Sequence, residues 1–494
     1  MKPHALVGAA FVVSRFIYRG LFGIRLDASP VYWFLQFLDP YFLETDLARS
    51  VLSLHHQAPL LNLLVGLCLK LFGSWAFVAV DVVFIALGLA AAIAMVDALL
   101  ALGVSPRAST AAAAFYACTP VTVLYESWLF YPHVVTSLLI VAASLLLRFV
   151  RRRTIASGAA FFGVLAAVGL VRSTYGPLWF CVVAGALLAL GPLPRKTILK
   201  AAAVPLVVLL LHSAKTPLYV GHGYGDAMLW PNLARKIYAK LPPRDARRLV
   251  ADGRLSPAMK VEAFTPLGST GIILPHEPTG VPALDMSYAP SGRLNANALE
   301  HVLVAEQYYK KDALYLLKRY PGTYAKASLE ALTVGTMGSP AQDSTLVKSP
   351  NHARLSQFHE PMKAAALTRE SGFSPVVAAV FVLGLASGVV AVVRGKQRDG
   401  APKVLATFAV LTILYTVTVT SLVSWGDFPR YRFETDGLTW ILAAFGAAAL
   451  FRATVRRLRY GRDRLDASVG DRRGQDQRED LVERQEGDRS QDRA

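Results

Sequence analysis

The stretch AFVAVDVVFIALGLAAAIAMVDALL, residues 76–100, decides the fold class. A helix rises about 1.5 Å per residue, so roughly 20 apolar residues cross a hydrocarbon core of about 30 Å. This run is longer than that and carries Ala, Leu, Val and Ile on every face. A transmembrane barrel strand would instead alternate apolar and polar side chains over a shorter length. A spanning helix is the reading, with Asp81 turned toward other helices because a carboxylate facing lipid is costly.

Similar runs extend from Val134 to Val150, Ile155 to Leu170, Pro177 to Leu190, Val376 to Val393 and Leu405 to Val423. Hydrophobic residues form 54% of the 494-residue chain and charged ones 17%, and the apolar residues lie in blocks rather than amphipathic patterns. The fold class predicted is an all-α polytopic membrane protein.

Lys and Arg between the runs set the orientation. Arg151 to Arg153, Arg195 with Lys196, the cationic segment 394–398, and Arg452 with Arg456, Arg457 and Arg459 mark one side, which the positive-inside rule makes cytoplasmic. About ten transmembrane helices close the count, near 4–22, 76–101, 109–126, 133–150, 155–171, 176–192, 199–213, 375–394, 404–425 and 437–451, leaving both termini inside. Pro59 to Phe72 is left over. It is short for a span and interrupted by Lys70, so it reads as a helix lying at the outer surface. Arg15 and Arg19 sit inside the first apolar stretch, which lacks a small-residue cleavage pattern, and an uncleaved anchor is expected there.

These boundaries divide the chain into an N-terminal transmembrane module (1–213) with a first outer loop (23–75), an extracytoplasmic segment (214–374), C-terminal transmembrane helices (375–451) and a charged tail (452–494). The tail is rich in Arg, Asp, Glu, Gln and Gly, a composition that favours disorder. The segment 214–374 opens on Gly221-His222-Gly223-Tyr224-Gly225, has a Pro- and Gly-containing middle from Pro266 to Gly292, and is helical in pattern from Leu294 to Val334. Its glycines are no dinucleotide fingerprint, because no strand-turn-helix context surrounds them. Acceptor recognition is expected here, with a flexible linker carrying packed helices as the plainer alternative.

The net charge of +18 does not signal nucleic acid. Its cations gather at inner helix ends, where orientation and anionic headgroups account for them, and no basic groove is interleaved with aromatics. Cys68, Cys118 and Cys181 fall in separate apolar segments without a disulfide or metal-ligand spacing.

Chemistry concentrates in the first outer loop. Asp39-Pro40-Tyr41-Phe42-Leu43-Glu44-Thr45-Asp46 runs on to His55-His56-Gln57-Ala58-Pro59-Leu60, gathering acids and histidines at a membrane boundary. Later outer ends carry Leu124-Tyr125-Glu126-Ser127-Trp128-Leu129-Phe130-Tyr131, then Val171-Arg172-Ser173-Thr174-Tyr175, then Pro429-Arg430-Tyr431-Arg432-Phe433. Between them, Tyr308 to Tyr324 holds Asp312 and Arg319-Tyr320-Pro321.

In that order, the motifs resemble the GT-C superfamily of polyprenol-phosphate-sugar glycosyltransferases, nearest the protein O-mannosyltransferase and aminoarabinose-transferase branch. The most specific piece is Leu38-Asp39-Pro40 through His55-His56-Gln57-Ala58-Pro59-Leu60-Leu61-Asn62, where such proteins show an acid followed by His-x-x-Pro-Pro-Leu. Ala58 replaces the first proline, and Phe428-Pro429 stands where relatives place a Glu before the Arg-aromatic-Arg segment. The resemblance implies a GT-C-like fold, with a polyprenyl-phosphate-linked sugar as donor and a glycan, lipid or protein as acceptor. The reaction would occur outside a cell membrane in which the chain is embedded among lipids.

An inverting transfer needs a base for the acceptor hydroxyl, and a nearby carboxylate serves. Asp39 is the first choice and Asp46 the second, because Asp46 also opens a short helix as a cap. The other reading of either acid is a solvated loop carboxylate. Arg172, Arg430 and Arg432 are the phosphate candidates, since guanidinium binds two oxygens at once and cations are disfavoured at outer helix ends without a purpose. Snorkelling toward headgroups competes with that role. His55 and His56 are assigned to the donor phosphate together with Glu126, for which an interfacial aromatic belt with one solvated acid is the alternative. A divalent metal held by these three is the weaker option, because adjacent histidines on a helix point different ways.

Two further functions compete. A transporter or flippase would show repeated halves with interrupted helices, and no internal repeat is visible. A lipid-linked polysaccharide polymerase or ligase would also combine many helices with arginine-bearing outer loops, with its key residues expected in the late ones.

Overall fold

The computed structural model describes residues 2–55, 57–190, 192–221, 226–260, 272, 274, 277–355, 357–358, 374–394, 400–426 and 429–458. Within these residues the chain is built from helices, and strand-like pairing is confined to the isolated bridges Asp27–Trp128 and Tyr288–Leu294. The helices used below are α1 (Pro3–Gly20), α2 (Pro40–Thr45), α3 (Leu47–Leu52), α4 (Leu60–Phe72), α5 (Ala76–Ala101), α6 (Pro106–Cys118), α7 (Pro120–Glu126) and α8 (Tyr131–Arg152). They continue with α9 (Ile155–Val171), α10 (Pro177–Leu190), α11 (Arg195–Val220), α12 (Asp226–Tyr238), α13 (Lys310–Arg319), α14 (Pro321–Met337), α15 (Pro375–Arg394), α16 (Ala401–Val423) and α17 (Pro429–Leu458).

Six helical segments are long and apolar enough to cross a membrane: Leu60–Ala101, Tyr131–Arg152, Arg195–Leu218, Pro375–Val393, Ala401–Val423 and Pro429–Leu458. Helices α9 and α10 are apolar but shorter, at 17 and 14 residues. Burial separates centre from periphery. About three quarters of the apolar windows of α8 and α16 lie inside the protein (78% and 72%), against 22% for Arg195–Leu218 and 11% for Pro375–Val393. The outer helices expose Val204, Leu211, Val382 and Val393, an apolar surface that suits lipid rather than water.

Several sequence expectations change shape. The span expected over 109–126 is broken into α6 and α7 at Thr119, which is extended (φ −64°, ψ 143°) because Pro120 disfavours the helical region for the residue before it. Its hydroxyl caps the new helix through the Thr122 amide at 3.4 Å. The span expected over 199–213 is longer, running over the whole of α11, with Pro205 and Pro217 inside it. Helix α4, read from the sequence as a helix lying at the outer surface, packs on α5. Gly73 between them has φ 49°, the left-handed region that glycine enters freely and that lets the chain reverse. Gly66 permits the close approach of α4 to α3, since a Cβ there would stand 2.3 Å from Leu47 Cδ1.

Helix α8 is the hub, packing on α5, α9 and α16. Helix α17 lies against it at Gly437, where a Cβ would meet Ile140 Cδ1 at 2.3 Å, and against α15, where Gly384 faces the Thr439 carbonyl. The segment between α11 and α15 carries its own apolar cluster, with Ala234, Ile237, Ala258, Met259, Ala313 and Leu316 buried together. It also reaches the first loop. Asn297 receives the His55 amide at 3.1 Å, and Arg293 donates to the carbonyls of Val31, Phe34 and Phe37. Lys215 near the end of α11 donates to the Val51 carbonyl at 3.2 Å, so α11 ends beside the same loop. The Gly221–Gly225 motif from 222 onward, most of the Pro266–Gly292 stretch up to residue 276, and the tail from 459 lie outside the described residues.

Candidate active site

The first two turns of α17 read Pro429-Arg430-Tyr431-Arg432-Phe433-Glu434-Thr435-Asp436. Side chains four apart share a helix face, so Arg430 with Glu434 and Arg432 with Asp436 project in two directions. On the first face Arg172 meets the helix. It ends α9 in an extended conformation (φ −142°, ψ 116°) that swings its side chain out of the helix and back across the bundle. Arg172 Nε lies 3.4 Å from Glu434 Oε1, and its guanidinium is sandwiched between the rings of Tyr131 at 4.0 Å and Tyr431 at 4.9 Å. Arg430 adds a second cation to the same aromatic floor, 5.2 Å from Phe130, 5.3 Å from Tyr431 and 5.6 Å from Phe34. Its Nη1 donates to Thr345 Oγ1 at 3.4 Å, and Asp343 holds the Thr345 amide at 3.0 Å.

Burial sharpens the arrangement. Arg172 is 7% exposed, Arg430 3% and Glu434 0%, so neither arginine snorkels into a headgroup layer. Yet the Tyr131 hydroxyl has no hydrogen-bond partner among the described residues, and beyond their own ion pair and the Tyr175 hydroxyl beside Glu434, the Arg172 Nε and the Glu434 carboxylate have none of good geometry. Buried polar atoms are nearly always paired, and such under-satisfied atoms in one place form an incomplete polar network. Such a network can take a ligand that offers both acceptors and donors.

Arg432 is placed differently from its neighbour. It pairs with Asp436 at 3.0 Å and donates to the Thr336 carbonyl at 3.1 Å, which uses its fork to fasten α17 to α14.

In the first loop, Asp39 caps α2 by accepting the Tyr41 amide at 3.0 Å, while its other oxygen accepts the Ser291 hydroxyl at 2.6 Å. Arg293 lies beside it, and burial pushes that guanidinium below its usual range while the Asp39 charge opposes the shift. Asn62, in the motif that suggested the family, fastens the turn before Asp39 by accepting the Leu38 amide at 2.8 Å and donating to the Gln36 carbonyl at 3.2 Å. The turn reaches the arginines through Phe34, whose ring stacks on Phe130 at 4.3 Å. Asp46 caps α3 through the Arg49 amide at 3.4 Å and is partly exposed. His55 is tied through Nε2 to the Asn297 carbonyl at 2.8 Å. His56 lies outside the described residues.

Glu126 faces the bundle interior, away from an interfacial belt. Arg15 of α1 grips it in a two-pronged pair at 2.7 Å and 2.7 Å and also donates to the Ala117 carbonyl, holding α1 to the end of α7. Gly88 makes room for that carboxylate. Asp81 is half-buried, paired with Arg19 at 2.5 Å and 2.7 Å, and ties α5 to α1. Among the described residues no three His, Cys, Asp or Glu side chains come together as a metal donor set.

Sequence reading named Arg172 and Arg430, which the structure brings together, and held Tyr131 within the Leu124–Tyr131 motif without giving it a role, but did not name Glu434, Asp436 or Arg293. The signal for the acids was present, since each follows an arginine by four residues at the start of a helix. Arg293 carried no such mark.

No family model, curated protein or solved structure matches this chain.

Proposed function

We propose that this protein is a membrane glycosyltransferase of GT-C type that moves a sugar from a polyprenyl-phosphate donor to an acceptor at the outer face of the cell membrane. The observation that carries the reading is the pair of buried arginines, Arg172 and Arg430, on an aromatic floor beside orphaned polar atoms. A phosphate would complete that network, and aromatic rings are suited to the apolar face of a sugar or the first isoprene units. In this reading about ten segments span the membrane, the shorter α9 and α10 among them, with both termini in the cytoplasm.

The transfer inverts the anomeric carbon. The acceptor oxygen attacks it, the bond to the phosphate oxygen breaks, and the acceptor proton passes to Asp39, or to Asp46 if the acceptor enters from the other side of the loop. Polyprenyl phosphate leaves with its charge held by Arg172 and Arg430, a stabilisation that grows as the bond breaks. Glu434 keeps Arg172 turned into the site. The loop segment at 291–297 orders Asp39 and His55 through Ser291 and Asn297, which makes it the natural wall for the acceptor.

One observation favours a second reading. Arg430 and Glu434, which build much of the cluster, stand on the last helix rather than on the first loop, as a lipid-diphosphate polymerase or ligase would arrange them. A transfer assay with purified protein separates the two. Offered a panel of polyprenyl-phosphate sugars and a membrane extract, the transferase incorporates label that Asp39→Asn abolishes. Incorporation only from a lipid-diphosphate oligosaccharide, unaffected by Asp39→Asn, would replace the first reading with the second.

A further inference from the structure

At the end of the bundle opposite the arginine cluster, α15, α16 and α17 splay apart around a cavity of about 750 Å³. Lys403 to Thr416 spans about 20 Å of α16, and Thr416 is the residue that reaches Tyr175 beside the cluster. Arg430 to Arg452 likewise spans about 33 Å of α17, a full hydrocarbon thickness. The two sites therefore face different leaflets.

The cavity walls are Ala386 and Val390 of α15 with Phe445 and Ala449 of α17, and Lys403 and Arg452 stand at its mouth. Small side chains explain the space: the helices touch at Gly446, where a Cβ would sit 1.9 Å from Ser387 Oγ, and alanines leave a slot beyond that contact. Arg452 is anchored by one donation to the Gly103 carbonyl at 2.7 Å. Neither cation is paired with a carboxylate among the described residues, whereas Arg15, Arg172 and Arg432 in the interior each are. A mostly apolar slot of about 750 Å³, lined also by two cations that no described carboxylate pairs, is complementary to a lipid that carries an anionic phosphate headgroup.

We propose that this groove holds one anionic phospholipid, its acyl chain along Ala386, Val390 and Ala449 and its phosphate between Lys403 and Arg452. The lipid fills the gap between α15 and α17 and keeps the three C-terminal helices in register. The inference does not rest on the transferase reading.

Native mass spectrometry of the delipidated full chain in detergent tests it, with phosphatidylglycerol and phosphatidylcholine of identical acyl chains as probes. The expected result is one phosphatidylglycerol held about 30-fold more tightly than phosphatidylcholine, roughly fivefold for each cation. Lys403→Gln with Arg452→Gln brings the two lipids to parity with the melting temperature retained. Ala449→Trp fills the slot and removes the bound lipid with both cations present; Ala449→Leu takes its place if the ring prevents folding. Equal retention of both lipids, selectivity that survives the double variant, a lipid that stays bound in the filled slot, or displacement by millimolar inorganic phosphate would each overturn the proposal.

Discussion

Arg172 and Glu434 stand 3.4 Å apart in the interior, one at the end of α9 and the other in the second turn of α17. The pair ties the N-terminal helices to the last one at the point where the orphaned polar atoms gather. Removing one partner of such a pair leaves a buried charge alone, whereas removing both leaves only an apolar contact. Arg172→Met should therefore cost about 3–5 kcal/mol of stability, and Arg172→Met with Glu434→Leu should recover most of it. Unfolding in detergent reads this directly. Transfer should stay lost in the double variant, because the phosphate ligand is gone. A double variant as unstable as the single one would mean that the two side chains do not act as a pair.

Asp39 has two separable duties. Asparagine caps a helix as well as aspartate does, so Asp39→Asn should keep the melting temperature while transfer falls by at least about a hundredfold. Asp39→Ala should lose the same activity and about 1 kcal/mol of stability besides. Full turnover in Asp39→Asn with loss in Asp46→Asn would move the base to the second acid.

The two arginines of α17 should give opposite phenotypes. Arg430→Gln is expected to raise the KM for donor about tenfold or more with little change in stability, as the loss of one charge-assisted contact to a phosphate implies. Arg432→Gln is expected to lower stability by some 2–4 kcal/mol, because it strands Asp436, with the donor KM of the folded fraction unchanged. Kinetics and unfolding on the same preparations distinguish them. A donor defect in Arg432→Gln without instability would place that side chain in the site.

Lys236 in α12 supplies a pH signature. Its ammonium donates to the Ser421 and Ser424 carbonyls at the end of α16, and burial pushes it down to about 8 from 10.5. Between those values the unfolded chain holds more protons than the folded one, so stability rises with pH across that window. Below about pH 8 both states are protonated and the cost of the buried charge is present in full. Stability relative to Lys236→Met should therefore climb from pH 8 to pH 10 and be flat from pH 6 to pH 7.5. A flat difference throughout would show that water reaches the ammonium.

The helices were legible because their cause is local. An apolar run long enough to cross a bilayer has no alternative to the helix once water is absent, and Ala76 to Leu100 needed no other information. The break at Thr119 was also written in the chain, in the proline that follows it. What could not be read was the fate of polar side chains inside those runs. Glu126 looked like a boundary residue beside Tyr125 and Trp128, and only its distance to Arg15 reveals an interior tie. Arg432 looked equivalent to Arg430, and only its contacts with Asp436 and the Thr336 carbonyl separate a fastening residue from a site residue.

The sequence by itself determined that the chain is helical, where its apolar segments lie and which few residues carry charge into them, because hydrogen bonding and hydrophobicity act over neighbouring positions. Tertiary structure alone decided which charges meet. Arg172 at the end of α9 meets Glu434 of α17, and Asp39 reaches Ser291 across about half the length of the chain. Such pairings follow from how the bundle packs around α8, and burial then decides their weight: the same arginine is idle in water and decisive where no water competes for its partner.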